Sequence, residues 1–257
     1  MKKWWIFLLP LCLGAAEKVV SLSPAVTELV IFAGGRTQLC GRSGVCDQPE
    51  VKHLPVAGDL GKPFPETVLR CGATMVVSDT VHPQAQWQTL RRFGVKVELL
   101  RNRSIDDLPE NVRRIGRLLQ LPEAGNRAAE LSRKIAALKT SRPAELKRAV
   151  VLFWSSPLIS CGKDTFIDSA LTQAGVKNMA ASAGSGYFII TPEYLIEAKP
   201  EILIFIGVPA SQADELFRRD IFRSLRSCRR IFLDSRIWGR LTPSLPDAVA
   251  ALKVELQ

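Results

Sequence analysis

One pattern occurs twice in this sequence: Pro65-Glu66-Thr67-Val68-Leu69-Arg70-Cys71-Gly72-Ala73-Thr74-Met75-Val76-Val77 and, 127 residues further on, Pro192-Glu193-Tyr194-Leu195-Ile196-Glu197-Ala198-Lys199-Pro200-Glu201-Ile202-Leu203-Ile204. Each copy has Pro-Glu, a short apolar helix pattern, a break and an apolar strand pattern. A unit that occurs twice predicts two similar lobes. It also predicts two matched acidic points on one surface, Glu66 and Glu193.

The first copy lies in a region where strand and helix patterns alternate. Strands are predicted at 18–22, 38–42, 74–78 and 95–100, and helices at 24–33 and 85–93. Ser23 is a suitable N-cap for the first helix, Pro24 suits its first turn, and Gly34-Gly35 is a suitable end. This alternation predicts an α/β lobe with a largely parallel sheet.

Helical periodicity dominates the middle of the chain, at 105–121 and 123–139, and strands alternate with helices again after Pro143. The predicted fold class is therefore α/β, with two similar Rossmann-like lobes of mostly parallel sheet joined by a long connecting α-helix. The predicted boundaries are 17–122 for the N-terminal lobe, 123–142 for the connecting helix and 143–257 for the C-terminal lobe. A cleft between two lobes is a preferred place for a ligand.

The first 16 residues have the pattern of a secretory signal peptide, which predicts an exported protein. Lys2 and Lys3 precede an apolar run of eleven residues, which is too short to span a bilayer, and Gly14-Ala15-Ala16 offers small residues for cleavage. Lipid anchoring through Cys12 is the less favoured alternative, because a lipidated cysteine normally follows a small residue and Cys12 follows Leu11. No later segment has the length and apolar character of a transmembrane helix.

The chain is basic, with a formal net charge of +10 that falls to +8 when residues 1–16 are removed. Six arginines are crowded into thirteen positions, which indicates either an anion-binding or membrane-facing patch or an ordinary solvated helix face. The solvated face is favoured. Nucleic acid is not an expected partner of an exported protein, and no nucleic-acid-binding motif is present. The arginines are Arg218, Arg219, Arg223, Arg226, Arg229 and Arg230.

Five cysteines remain after export, and none forms a Cys-x-x-Cys pair. With only two histidines in the chain, this spacing argues against a zinc site, and no metal site is expected. In an oxidising compartment one or two disulfides are expected, and the odd number leaves at least one thiol over. The sequence does not give the pairing among Cys40, Cys46, Cys71, Cys161 and Cys228.

Motifs for catalysis are missing from the sequence. It contains no Gly-x-Ser-x-Gly, His-Glu-x-x-His or Gly-x-Gly-x-x-Gly. A binding protein is therefore favoured over an enzyme. Glu66 and Glu193 admit two interpretations. Each carboxylate could simply stabilise the positive end of its helix, by about 0.3–1 kcal/mol. Because both lobes place glutamate directly after proline, the pair also suits docking onto a two-fold symmetric partner that bears arginines.

The order of several motifs resembles that of periplasmic vitamin B12-binding proteins, within the wider family that binds cobalamin, haem or iron–siderophore complexes for ABC importers. The resemblance covers essentially the whole mature chain. The motifs are Val19-Val20-Ser21-Leu22-Ser23-Pro24-Ala25-Val26-Thr27-Glu28-Leu29, Cys46-Asp47-Gln48-Pro49, Gly162-Lys163-Asp164-Thr165, Asn178 and Arg240-Leu241-Thr242-Pro243.

The resemblance implies a periplasmic protein that carries its ligand in the cleft. It implies ligand contacts from Ser23 and Pro24 in the first lobe and from Tyr187, Trp238 and Arg240 in the second. It also implies that Glu66 and Glu193 dock onto arginines of a dimeric membrane permease. No cofactor is expected apart from the transported ligand, and the protein is expected to be a monomer.

The first lobe departs from the vitamin B12 pattern, because Asp59 and Asp79 stand where the B12 binder has tryptophans. These two residues are included among the predicted ligand contacts. The predicted function is an exported substrate-binding protein that captures a cobalamin-type corrinoid and delivers it to the permease without chemical change. The alternative in the same class is an iron–siderophore or haem binder, and the alternative in another class is an exported enzyme on the same scaffold.

Overall fold

The computed structural model describes residues 16–80, 85–141 and 143–256. The predicted signal peptide and Cys12 lie outside this range, apart from residue 16. The first lobe is built on one sheet with the strand order β4-β3-β2-β1-β5-β6, in which only the β3–β4 pair is antiparallel. Its strands are β1 (Val19–Ser21), β2 (Leu39–Ser43), β3 (Val56–Asp59), β4 (Lys62–Pro63), β5 (Met75–Ser78) and β6 (Lys96–Leu99).

Helices alternate with these strands, as the sequence pattern predicts. They are α1 (Pro24–Ala33), α2 (Pro65–Arg70) and α3 (Ala85–Arg92), followed by α4 (Asp107–Leu119) and α5 (Ala124–Thr140). The predicted limits of α1 are confirmed. The Ser23 hydroxyl accepts a hydrogen bond from the Val26 amide (3.1 Å), and Gly34 ends the helix with φ of +103°.

The second lobe contains a parallel sheet with the order β10-β7-β12-β13 and a small antiparallel sheet with the order β11-β9-β8. Its strands are β7 (Lys147–Leu152), β8 (Trp154–Ser155), β9 (Leu158–Cys161), β10 (Val176–Asn178), β11 (Tyr187–Ile189), β12 (Ile202–Ile206) and β13 (Arg229–Leu233). Its helices are α6 (Phe166–Gln173), α7 (Pro192–Glu197), α8 (Ala210–Arg218), α9 (Ser235–Trp238) and α10 (Leu245–Glu255). Short 3-10 helices lie at Arg36–Gln38, Pro49–Val51, Met179–Ser182 and Asp220–Leu225.

The two parallel sheets have equivalent connections, so the internal repeat is structural. The order β2-β1-β5-β6 in the first lobe corresponds to β10-β7-β12-β13 in the second. The repeated helices α2 and α7 have six residues each and begin with proline. Seven positions after that proline the backbone takes a positive φ in both copies, +63° at Gly72 and +43° at Lys199. The antiparallel sheet is the main addition in the second lobe.

Helix α5 connects the lobes through its apolar face. It packs against α1 and α4 on one side and α10 on the other. One cluster of buried side chains therefore runs from the first sheet across α5 to the second sheet. The residues that α5 contributes are Ala124, Ala128, Leu131, Ile135 and Leu138. The predicted connecting helix is confirmed as an element, while the exact domain boundaries stay a prediction.

The expectation of one or two disulfides is not met, because the five described cysteines are free thiols. Local partners satisfy several of them instead. The Cys46 thiol lies 3.2 Å from the Thr27 hydroxyl, the Cys228 thiol donates to the Pro200 carbonyl (3.1 Å), and the Cys40 thiol to the Val19 carbonyl (3.5 Å). Within residues 16–80, 85–141 and 143–256, no helix has the length and hydrophobicity needed to cross a bilayer.

Candidate ligand-binding site

The predicted first-lobe site residues meet at one edge of the sheet. Strands β2, β1 and β5 are parallel neighbours, so their carboxyl ends lie side by side. Asp47 follows β2, Ser23 and Pro24 follow β1, and Asp79 follows β5. The crevice outside the carboxyl ends of parallel strands is the usual ligand position in α/β sheets.

Asp79 is half-buried at this edge, beside the beginning of α1. Burial raises the pKa of its carboxyl group, and hydrogen bonds from the Ser23 hydroxyl, its own backbone and the Thr80 hydroxyl oppose that rise. The position of Asp79 is fixed further because the Asn102 amide donates to its carbonyl oxygen (2.9 Å). Ser23 is 2% exposed and already caps α1, so its hydroxyl is held by the protein.

Asp59 lies nearby as the exposed last residue of β3, and its Oδ1 accepts the amide of Leu60 in the turn to β4 (2.8 Å). The turn packs on the same sheet edge. The Gly61 amide donates to the Leu22 carbonyl (2.9 Å), and a Cβ at Gly61 would lie 2.7 Å from the Thr80 carbonyl oxygen. Glycine with φ of +62° therefore allows the Asp59 turn to approach the residue after Asp79.

The antiparallel sheet of the second lobe presents an apolar face. Tyr187 and Ile189 are two residues apart on β11, so their side chains share a face. Ile189 lies opposite Ile159, which lies opposite Trp154 on the next strand. Tyr187, Ile189 and Trp154 are 55%, 65% and 52% exposed. The ring of Phe153 packs edge-on against Tyr187, with centroids 5.3 Å apart.

Tyr187 connects this apolar face with the first lobe. Desolvation raises the pKa of its phenol, and Cys161 and Asp79 add to the rise when they are ionised. The effect of the Asp79 charge on Tyr187 indicates that the apolar face of the second lobe is directed toward the polar edge of the first. Sequence reasoning did not single out Ile189, although alternation along β11 places it beside Tyr187. It left Trp154 out because a ring at this position could close into the core, whereas the structure leaves Trp154 exposed.

Arg240 joins the lobes at another point. Its Nη1 and Nη2 donate to Oδ1 and Oδ2 of Asp47 at 2.8 and 2.9 Å, and Nη1 also lies 3.3 Å from Oε1 of Glu28. Gln48 extends this network, because its Nε2 donates to Glu28 (2.9 Å) and to the Pro24 carbonyl (3.0 Å). The Arg240 hydrogen bond is the main cause of the lowered pKa of Asp47, whereas burial raises the pKa of Glu28.

Trp238 differs in position from the other predicted contacts. It is the last residue of α9, is 3% exposed and packs into the main core cluster. The structure therefore does not bring its ring together with Tyr187 and Asp79. A direct ligand contact from Trp238 stays a prediction, as do those of the other predicted residues.

Glu66 and Glu193 occupy equivalent positions on the two lobes. Each is exposed in the first turn of its helix, directly after the proline, on α2 and α7 respectively. Their placement satisfies both the helix-dipole interpretation and the docking interpretation. No cluster of three or more histidine, cysteine or acidic side chains that could hold a metal ion occurs within the described part of the chain.

Comparison with known proteins supports the bilobed α/β assignment. The protein resembles a solved structure of the periplasmic vitamin B12-binding protein BtuF of Vibrio cholerae, with a TM-score of 0.82, 20% identity, and coverage of 94% of this chain and 96% of the other. It also resembles the apo form of the periplasmic haem-binding protein RhuT from Roseiflexus sp. RS-1, with a TM-score of 0.80, 24% identity, and coverage of 93% and 97%.

Sequence comparison extends this similarity. The chain is 29% identical over 203 residues to a vitamin B12-binding protein of Salmonella choleraesuis (strain SC-B67), which covers 77% of this chain and 76% of the relative. It is 24% identical over 214 residues to a vitamin B12-binding protein of Pectobacterium carotovorum subsp. carotovorum (strain PC1), with coverage of 80% and 78%. The sequence profile of the periplasmic binding protein family matches residues 19–228. The chain, with its two similar lobes and the long helix between them, therefore belongs to the periplasmic binding protein family.

Proposed function

We propose that this protein is the exported substrate-binding component of an ABC importer, and that its ligand is a cobalamin-type corrinoid. The observation that carries the proposal is the pairing of two unlike walls at the sheet edge. The apolar face with Tyr187, Ile189 and Trp154 suits a flat macrocycle, and the first-lobe edge with Ser23, Pro24, Asp59 and Asp79 suits peripheral hydrogen-bond donors.

The peripheral groups of the ligand favour a corrinoid over the alternatives. A corrinoid combines a large ring with side-chain amides, whose N–H groups can donate to a carboxylate such as Asp79. Haem and many siderophores carry carboxylates, which carboxylate side chains repel. The similarity of this chain to vitamin B12-binding proteins also supports a corrinoid. Haem or an iron–siderophore complex is the second candidate, because haem-binding proteins share the fold.

In this proposal, the two matched glutamates dock the protein onto the permease, to which it delivers its ligand. Glu66 and Glu193 are exposed at equivalent positions of the two lobes, which suits arginines related by the two-fold axis of a dimeric permease. In this proposal the protein works in the periplasm as a monomer, after removal of residues 1–16. It releases its ligand chemically unchanged, and an enzyme on the same scaffold is the disfavoured alternative.

A titration of the exported protein with cyanocobalamin, followed by quenching of tryptophan fluorescence, tests the ligand assignment. Exposed Trp154 serves as the reporter, and a Trp154→Phe variant identifies the part of the signal that comes from the site. Saturable quenching that depends on Trp154 is expected. If cyanocobalamin does not saturate the protein but haemin or a ferric siderophore does, the corrinoid assignment is wrong and the second candidate replaces it.

A further inference from the structure

The candidate site has an unexpected charge for so basic a chain. The protein has a formal net charge of +10, yet Asp47 and Asp79 lie at the first-lobe edge, Glu28 lies on the second turn of α1 and Asp59 ends β3. The cation that the second lobe brings to this edge is Arg240. With Arg42 on β2 and Lys62 on β4 included, the local balance is close to neutral, in contrast to the basic chain as a whole.

Arg240 is already occupied by protein groups. Both oxygens of Asp47 accept from its guanidinium at 2.8 and 2.9 Å, and Glu28 lies at 3.3 Å. The side chain is only 18% exposed. A bidentate arginine–carboxylate pair is strong and geometrically specific, so a carboxylate on a ligand would have to displace Asp47 before it could use Arg240.

Two neighbouring arginines also make local hydrogen bonds. Arg236 donates to the Asp234 carboxylate through Nη2 at 2.8 Å. Arg42, on β2, donates through Nη1 to the Ser43 carbonyl at 3.0 Å, while its Nε is buried without a hydrogen-bond partner among the described residues. The facing wall offers apolar groups from Tyr187, Ile189 and Trp154. A ligand anion that leaves water beside Arg240 would therefore lose hydration without gaining that guanidinium.

We infer that the site selects metal chelates whose periphery carries hydrogen-bond donors and rejects those that carry carboxylates, and that Asp47 and Glu28 enforce this choice by occupying Arg240. The inference rests on the proposed function, because it concerns the same cleft. It adds the chemical rule by which that cleft separates amide-bearing from carboxylate-bearing chelates. A lone Arg240 would attract anions, whereas Arg240 paired with two carboxylates does not.

Two corrinoids with the same ring and metal test the rule. Dicyanocobinamide carries side-chain amides, whereas dicyanocobyrinic acid carries free carboxylates at the corresponding positions. Calorimetric Kd values for both are measured at one pH near neutrality and one salt concentration. The protein is expected to bind the amide form at least about tenfold more tightly. Repulsion between two like charges a few ångströms apart at a protein surface is large enough to weaken binding by about that factor. Equal affinity for the two corrinoids would overturn the inference and leave the proposed function standing.

Charge-removing variants test the assigned residues. Asp47→Asn with Glu28→Gln is expected to reduce the preference for the amide form about tenfold, because freed Arg240 can then bind a ligand carboxylate. Asp220→Asn with Glu130→Gln removes the same charge from exposed positions on the 3-10 helix Asp220–Leu225 and on α5, and it should leave the preference unchanged. An equal loss of preference in this control pair would show that net charge, and not Arg240, is responsible.

Two further measurements keep the test decisive. Should the double variant fail to fold, as judged by circular dichroism, Asp47→Ala alone removes both of the guanidinium contacts that Asp47 makes. Haemin, which carries two propionates, is the third probe, and the unaltered protein is expected not to bind it in a saturable way. Binding of haemin but of neither corrinoid would overturn both the inference and the proposed corrinoid function.

Discussion

The Arg240 guanidinium of the second lobe forms two parallel hydrogen bonds, of 2.8 and 2.9 Å, with the Asp47 carboxylate of the first lobe. The two residues are 193 positions apart in the sequence, so the pair links the lobes directly. Helix α5 provides an apolar connection through its buried face. A second polar contact lies at Ser169 on α6, whose hydroxyl is 3.0 Å from the Ser104 hydroxyl and accepts the Ile105 amide at 3.3 Å. The relative position of the two walls of the site therefore depends on polar contacts at two places and on the apolar face of α5.

Removal of the Asp47 charge is predicted to weaken folding in a pH-dependent way. Asp47→Asn should lower the free energy of unfolding by about 0.5–1 kcal/mol near neutral pH, because the pair is partly solvated. Arg240 lowers the pKa of Asp47 below its ordinary 3.8, so its stabilising effect is complete above that value and disappears as the pH falls through the lowered pKa. Urea unfolding of both proteins at neutral pH and in acid measures the difference. A difference that grows in acid would contradict the assignment.

Reversal of charge at the two matched glutamates is predicted to separate binding from delivery. Glu66→Arg with Glu193→Arg should abolish corrinoid uptake in cells that depend on this protein, since arginines of the permease would then meet arginines. The Kd for the ligand should stay unchanged, because both side chains lie on exposed first turns of α2 and α7.

Glu130→Arg with Glu145→Arg is the matched control, because it makes the same charge change at exposed positions outside the repeated helices. Uptake should persist in the control. If uptake also persists in the Glu66 and Glu193 double variant, the two glutamates serve only their helix dipoles.

The core that crosses α5 predicts that the two lobes unfold together. Leu131 is 2% exposed within this cluster, so Leu131→Ala should lower the free energy of unfolding by about 2–5 kcal/mol. One denaturant transition should be seen for both the original protein and the variant. Val254→Ala, at a side chain that is 71% exposed, should change stability by no more than about 0.5 kcal/mol. Two separate transitions would show that α5 does not couple the lobes.

The free cysteines predict that the exported protein carries no disulfide among the described residues. Denatured without reductant, it should show five reactive thiols, at Cys40, Cys46, Cys71, Cys161 and Cys228. In the folded protein, burial raises the pKa of Cys40 to about 11, with a smaller contribution from Cys71. Alkylation of Cys40 near pH 8 should therefore be far slower than in the denatured chain. A count of three thiols would reveal one bridge.

Local signals in the sequence were sufficient for much of the fold. The Ser23 cap, the Gly34 end of α1 and the repeated Pro-Glu helices depend on neighbouring residues, and all were predicted. The β8–β9–β11 sheet was missed because its strands are only two to four residues long, too short for a clear periodic pattern.

Contacts between residues that are distant in the sequence could not be predicted from local patterns. Nothing near Arg240 or Asp47 indicates that they pair across 193 positions. Trp238 was predicted to line the cleft because of its position in the sequence. Position in the sequence does not show which face of α9 is buried. The structure places it in the core.

Calorimetric titration of the exported protein with cyanocobalamin tests the central claim most directly. One corrinoid should bind per chain, with a negative heat-capacity change, because the ring covers exposed Tyr187, Ile189 and Trp154. Tyr187→Ala with Ile189→Ala should weaken binding about tenfold or more through loss of that apolar contact. Absence of saturable heat with cyanocobalamin, in a preparation that binds haemin or a ferric siderophore with one ligand per chain, would contradict the claim.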